Sequence, residues 1–334
     1  MSDGVPTIKD VADRVGVHAG TASRALNPAT RGKVSARTVS RVLEAARVLG
    51  YSPNSAARSL RTRTSSVAGV IIPDLRNPVF PPIVRGVEDG LREAGYLALL
   101  GNTDGDPERA RELLAAMRGQ RTDGFILATS RRDDTFSAGM PTVLVNRRAD
   151  SGSVPSVTAD NAAGVQAIVR LLTDLGHTHI GHVAGPQTLS TGWERYRAFV
   201  AAADAPAKRI AFADAFSEDA GHAATLRLLD AGPDLTAIVA GNDLIALGCY
   251  AALASRGLRV PEDVSVTGFN DIPFVDRQRP ALTTVRIPHY DIGLEAARLL
   301  MARIGDPAAP AKRIVLPVEL VSRASTARRR EDRP

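Results

Sequence analysis

The chain has 334 residues, 44% of them apolar and 23% charged, with a formal net charge of +6 and one cysteine. At about 100–200 residues per domain this length implies two or three domains, and the composition excludes wholesale disorder. The longest apolar runs, such as Val70-Ile71-Ile72, fall far short of the ~18 residues of a membrane span. Met1 to Asp10 shows no secretory leader pattern, and Cys249 alone cannot form an internal disulfide or a cysteine-rich zinc site. A soluble cytoplasmic protein is expected.

The charge is uneven: residues 1–64 carry +7, residues 65–322 carry −4 and residues 323–334 carry +3. A small basic head suits nucleic acid, because each Lys or Arg at a phosphate releases a counterion. A solvated charged face would show the same composition.

Thr7-Ile8-Lys9-Asp10 predicts a capping box. Ile8, Val11, Ala12 and Val15 follow with helical spacing, and Gly16 ends the helix. A second helix is predicted over 18–26, burying Ala22, Ala25 and Leu26. Helix, glycine-containing turn and helix form the helix-turn-helix arrangement, whose second helix enters the major groove. After a loop over 27–34, Ser35 caps a third helix with Val39, Val42, Leu43, Ala46 and Leu49 on one face. Ser52-Pro53 starts a short helix over 53–60, too short to persist without a partner.

Beyond a polar linker, strands and helices alternate. Strands are predicted over 67–72, 96–100, 124–127, 142–145, 157–159, 180–184, 237–240 and 264–268. Helices over 79–94, 107–118 and 161–175 are among those between them. This alternation indicates parallel sheets, and a body of ~255 residues divides naturally into two. Ligands of such sheets sit beyond the carboxyl ends of strands, here in a cleft between lobes. No phosphate-loop or dinucleotide motif and no nucleophile motif appears, so neither a cofactor nor catalysis is expected. His177, His179 and His182 lack the cysteines or HExxH that would make them a zinc site.

The stretch TIKDVADRVGVHAGTASRALN followed by YSPNSAARSL resembles the headpiece and hinge of the LacI/GalR family of transcriptional regulators. The similarity continues through VIIPDLRNPVFPPIVRGVEDGLREAGY, NDLIALG, RVPEDVSVTGFND and PALTTVRIPHYDIG, to about Ser325. It implies a helix-turn-helix headpiece over 1–52, a hinge helix and linker over 53–65, and an α/β two-lobed, periplasmic-binding-protein-like core over 66–325. The N-lobe would take 66–160 and 290–318, the C-lobe 161–289 and 319–325. Residues 326–334 would be a basic disordered tail.

By the same resemblance, Ala19, Gly20 and Arg24 fall on base-facing positions, and Thr21 and Ser23 approach phosphate. Thr7, His18 and Asn27 complete the implied DNA-binding set. In the hinge, Ser55, Ala57, Arg58 and Leu60 are implied, with Ala57 and Leu60 in the minor groove and Leu60 as an apolar wedge. His18 stands where the family usually has a serine cap, leaving a phosphate contact or a weak cap open. The small Ala19 and Gly20 leave direct readout to Arg24, which can bind guanine bidentately; otherwise Arg24 is a solvated helix arginine.

Effector contacts are implied at Val79, Phe80, Asn146, Thr191, Trp193, Arg195, Phe216, Asn242, Asp243 and Asn270. Val79 and Phe80 could equally be core, Asn242 and Asp243 helix caps, and Asn270 a turn residue. The family often has Asp where Asn146 and Asn270 stand, which leaves open whether the ligand is a neutral sugar or carries an anionic group. The expectation is a homodimeric repressor that binds a pseudopalindromic operator in double-stranded DNA and is switched by a small, sugar-like effector, as inducer or corepressor. The alternatives are a solute-binding protein or an α/β sugar enzyme sharing the core fold.

Overall fold

The computed structural model describes residues 6–27, 30–52, 64–135, 139–203, 209–231 and 234–329. The chain forms two compact units, Met1–Ser65 and Ser66–Pro334. The hinge positions Ser55, Ala57, Arg58 and Leu60, and the short helix expected around them, lie outside the described residues.

The first unit holds α1 (Ile8–Val15), α2 (Ala19–Leu26) and α3 (Ala36–Leu49). The capping box is formed: Thr7 N–H donates to Asp10 at 2.7 Å, and Asp10 N–H donates to Thr7 Oγ1 at 3.4 Å. Gly16 ends α1 at φ 71°, a left-handed conformation that suits glycine. Val11, Ala12, Val15, Ala22, Ala25, Val39, Val42 and Ala46 make the small core. Leu43, expected on the inner face of α3, lies outside it at 39% exposed, and Ala45 is buried instead. Two cations of this basic unit serve the fold. Arg41 Nη2 donates to Val15 O at 2.7 Å and Arg31 Nε to Ala25 O at 3.2 Å, satisfying carbonyls at the ends of α1 and α2.

The second unit is two-lobed. One lobe carries a parallel sheet of β1 (Val67–Ile72), β2 (Leu97–Asn102), β3 (Gly124–Leu127), β4 (Thr142–Val145), β5 (Ser156–Ala159) and β11 (Arg313–Leu316), in the order β11-β5-β4-β3-β1-β2. The other carries β6 (Ile180–Ala184), β7 (Ile210–Phe212), β8 (Ala237–Ala240) and β9 (Ser265–Thr267), in the order β7-β6-β8-β9. An antiparallel pair, β10 (Thr284–Arg286) and β12 (Glu319–Val321), completes the set. Helices α4 (Phe80–Glu93), α5 (Pro107–Gly119), α6 (Asn161–Asp174), α7 (Ser190–Ala203), α8 (Glu218–Ala231), α9 (Asp243–Ser255) and α10 (His289–Gly305) connect and cover the strands. The chain passes between lobes after β5, after β10 and after β11.

Close packing of α4 on α10 sets the first lobe. A side chain at Gly86 would collide with the Tyr290 carbonyl, and one at Gly293 with the Ile83 carbonyl, so the two backbones touch where glycine leaves room. β2 differs from the buried strand its apolar sequence suggests: it is a sheet edge, with Leu97 72% exposed and Leu99 and Leu100 also exposed. Residues 326–329, expected to open a disordered tail, are docked instead. Thr326 Oγ1 meets Thr283 Oγ1 at 3.0 Å, Ala327 N–H donates to Ser265 at 3.2 Å, and Arg329 N–H donates to Leu175 O at 2.9 Å.

Candidate functional sites of the head and the core

In the head, Ala22 and Ala25 turn inward and Gly20, Arg24 and Asn27 share the opposite face of α2, at spacings of four and three. His18 caps this helix: its Nδ1 accepts from Gly20 N–H at 3.1 Å. A methyl at Gly20 would lie 3.3 Å from that nitrogen, so the small residue makes room for the unusual cap. Arg24 is exposed, and its Nε folds back to Gly20 O at 3.2 Å. Ala19 partly packs against the head's own core. Thr21 and Ser23 flank the outer face half-buried, and Thr7 is exposed at the start of α1.

In the core, a cleft is lined by Asn77, Val79, Phe80, Asn146, Arg147, Thr191, Arg195, Phe216, Asn242 and Asn270. Asn77 follows β1, Asn146 and Arg147 follow β4, and Thr191, Phe216, Asn242 and Asn270 follow β6, β7, β8 and β9, so both lobes face the cleft with the carboxyl ends of their strands. Val79 and Phe80 line it while also belonging to the core. Phe216 lies against Gly185, where any Cβ would collide with its ring.

Arg195 is buried and organises the floor. Its Nε donates to Asn161 Oδ1 at 2.9 Å, Nη1 to Gly241 O at 2.8 Å and Nη2 to Asn270 Oδ1 at 3.2 Å. Its guanidinium stacks on Phe269, 3.8 Å from the ring centre. Burial pulls Arg195 down to about 9, still charged at neutral pH.

Two residues expected at the ligand are placed elsewhere. The buried Asp243 turns its carboxylate into the lobe: Oδ2 accepts from Ile272 N–H at 2.9 Å and Oδ1 from Thr284 Oγ1 at 2.5 Å. Asn242 alone faces the cleft, and also caps α9 through Ile245 N–H at 2.9 Å. Trp193 lies under Arg132, whose guanidinium is 4.1 Å from its ring centre, and is not among the lining residues. It sits in a bridge between lobes, where Arg132 N–H donates to Thr188 O at 2.9 Å and Arg148 N–H to Ser190 Oγ at 2.9 Å.

Asn77 and Arg147 line the cleft without being among the residues that the resemblance implies. Arg147 directly follows Asn146, whose φ of 63° turns the backbone at the end of β4. The run Asn-Arg-Arg after a strand was the available signal. The three histidines considered for zinc go to separate partners: His177 to Thr236 and Ala327, His179 to Asp234, and His182 to Val239.

A helix-turn-helix head and a two-lobed core with a cleft, carried on one chain, define a DNA-binding regulator answering to a small molecule. Residues 7–54 match the family model of bacterial regulatory proteins of the lacI family, and residues 169–326 match the periplasmic binding protein-like domain. The ribose operon repressor of Halalkalibacterium halodurans is 36% identical over 324 residues, covering 96% of this chain and 97% of that protein. The solved complex of the transcriptional regulator CelR with cellobiose is 32% identical, with a TM-score of 0.73, over 96% of this chain and 99% of that one. The lac repressor dimer bound to operator, at 24% identity and TM-score 0.82 over 97% of this chain and 100% of that one, shares the fold. The chain belongs to the LacI family of bacterial transcriptional regulators.

Proposed function

We propose that the protein is a homodimeric transcriptional repressor whose grip on a pseudopalindromic operator is set by a sugar-like effector in the cleft. The observation that carries this is the pairing of an outward Arg24 face on α2 with a cleft whose walls come from both lobes. An effector preferring one lobe arrangement shifts DNA affinity only by its differential affinity for the two states, typically about 1–3 kcal/mol of coupling. The sugar class is supported by the cellobiose complex of CelR and by the naming of the ribose operon repressor.

In this reading Gly20, Arg24 and Asn27 face bases, Thr7, His18, Thr21 and Ser23 approach phosphate, and the hinge residues Ser55, Ala57, Arg58 and Leu60 enter the minor groove. Val79, Phe80, Asn146, Thr191, Arg195, Phe216, Asn242 and Asn270 hold the effector. The exposed leucines of β2 supply part of the face where two copies meet, since an open sheet edge with apolar side chains favours pairing. The protein acts on DNA in the cytoplasm and has no catalytic role. Among the described residues no helix is long and apolar enough to cross a membrane.

The test is fluorescence anisotropy on a labelled pseudopalindrome with the full chain. Arg24→Ala is expected to weaken operator binding by about 1–3 kcal/mol and to relax base discrimination. Unchanged discrimination among operator sequences refutes the role of Arg24, and no preference for any duplex refutes the function.

A further inference from the structure

The cleft has an unusual electrical balance. Among its lining residues are two arginines and no carboxylate. Arg147 is only 8% exposed, its Nε is buried without a partner, and among the described residues it makes no hydrogen bond or ion pair. Arg195 is held only by neutral acceptors.

The carboxylates next in the chain to lining residues are already committed. Asp243 serves Thr284 and Ile272, Asp271 pairs with Arg286 and Arg323, and Glu194 accepts from Arg148 and Asn161. None can turn into the cleft without abandoning a partner. Burial lowers Arg147 to about 10, so it keeps its charge at neutral pH.

The asparagines add to the imbalance. Asn77 Oδ1 accepts from Val79 N–H at 3.1 Å, Asn242 Oδ1 from Ile245 N–H, and Asn270 Oδ1 from Arg195. Each of these oxygens already accepts one hydrogen bond, while among the described residues their amide N–H₂ groups donate none and stand ready for a ligand. Every hydroxyl of a neutral sugar brings a hydrogen that needs an acceptor, and this wall sets two guanidiniums and several amide donors against acceptors that are all neutral amide or hydroxyl oxygens. An oxyanion brings acceptors only, and charge-assisted hydrogen bonds to it are the strong kind.

Resting on the repressor reading above, we propose that the effector is a polyhydroxyl compound carrying an oxyanion, a phosphate ester or a carboxylate, and that Arg147 receives it. The anion supplies the counter-ion that the protein withholds from a buried cation.

Calorimetric titration of the full chain with matched pairs tests this. Ribose is compared with ribose 5-phosphate, glucose with glucose 6-phosphate, and glucose with gluconate, which separates a phosphate from a carboxylate. Inorganic phosphate alone is followed by thermal shift. The charged member of at least one pair is expected to bind roughly ten-fold tighter or more, and phosphate to raise Tm in the wild type only if the anion is a phosphate. In Arg147→Gln the preference should disappear while Tm without ligand stays equal or rises, because an unpaired buried charge has been removed. Neutral sugars that bind as well as their charged partners overturn the proposal and leave the sugar-effector function standing. A charge preference that survives Arg147→Gln also overturns it, as does a panel in which no charged member binds. A charged ligand that binds through Arg147 without changing operator affinity supports the site and overturns the repressor switch instead.

Discussion

Nε of Arg148 donates to Oε1 of Glu194 across 2.6 Å, and this ion pair joins the two lobes directly beside the cleft. Both side chains are largely buried, and Glu194 also accepts from Asn161 at 2.7 Å. Glu194→Gln keeps the size and removes the charge. It is expected to cost roughly 1.5–3 kcal/mol, lower the Tm of the core and widen the solution ensemble seen by small-angle scattering. An unchanged Tm and radius of gyration would show that the pair does not hold the lobes.

Arg195 ties α7 to the start of α6 and to the loops after β8 and β9 through three neutral acceptors. Lysine offers a point charge in place of a planar fork. Arg195→Lys should weaken effector binding by about 2–4 kcal/mol, measured by titration, while Arg24-dependent operator binding without effector stays near wild type. Effector affinity within a few-fold of wild type would remove Arg195 from the site.

Stability should depend on pH through three buried groups. Burial lowers His182 and His289 from 6.5 to about 4. Below pH 6.5 the unfolded chain binds protons that the folded one refuses, so each histidine removes stability as pH falls towards 4, on the order of 3 kcal/mol at the end of that window. Burial raises Asp243 from 3.8 to about 6. Here the folded chain binds the proton first, so this group adds stability as pH falls from 6 to 3.8 and removes it as pH rises. Thermal denaturation between pH 7 and about 4 should therefore show a steeper acid loss in Asp243→Asn than in wild type, and a shallower one in the pair His182→Gln with His289→Gln. The opposite order would contradict the assigned directions.

The His18 cap on α2 is worth about 1 kcal/mol by analogy with other side-chain caps. His18→Ala should lower the stability of the head by that amount in hydrogen exchange of α2 amides. Gly20→Ala should yield little net gain, because the methyl crowds the His18 ring even as it favours the helix. A full propensity gain of about 1 kcal/mol would mean the ring is not held there.

Leu97→Asp places a charge on the exposed edge strand β2. Sedimentation is expected to show a loss of dimer, with operator binding falling in parallel because half-sites need a twofold partner. A dimer of unchanged strength would move the interface elsewhere.

Local patterns in the chain were enough for much of this molecule. The Thr7–Asp10 box, Gly16 and Ser35 mark helix ends through hydrogen bonds within a few residues, and strand runs such as 124–127, 142–145 and 180–184 declare themselves as short, mostly apolar runs that are buried almost throughout. Most cleft residues were nameable through the family resemblance, and in the fold they sit just past strand ends. What residue order could not say is where a side chain points once two lobes meet. Asp243 turns inward because Thr284 and the Ile272 amide, 41 and 29 residues away, meet its carboxylate. Trp193 is covered by Arg132 from the other lobe, and Arg31 and Arg41 go to helix-end carbonyls instead of an outer face. Arg147 became visible as a buried, unpaired cation only when the surrounding carboxylates were seen to be occupied. Partners distant in the chain and close in space decide such orientations, and only the folded arrangement brings them together.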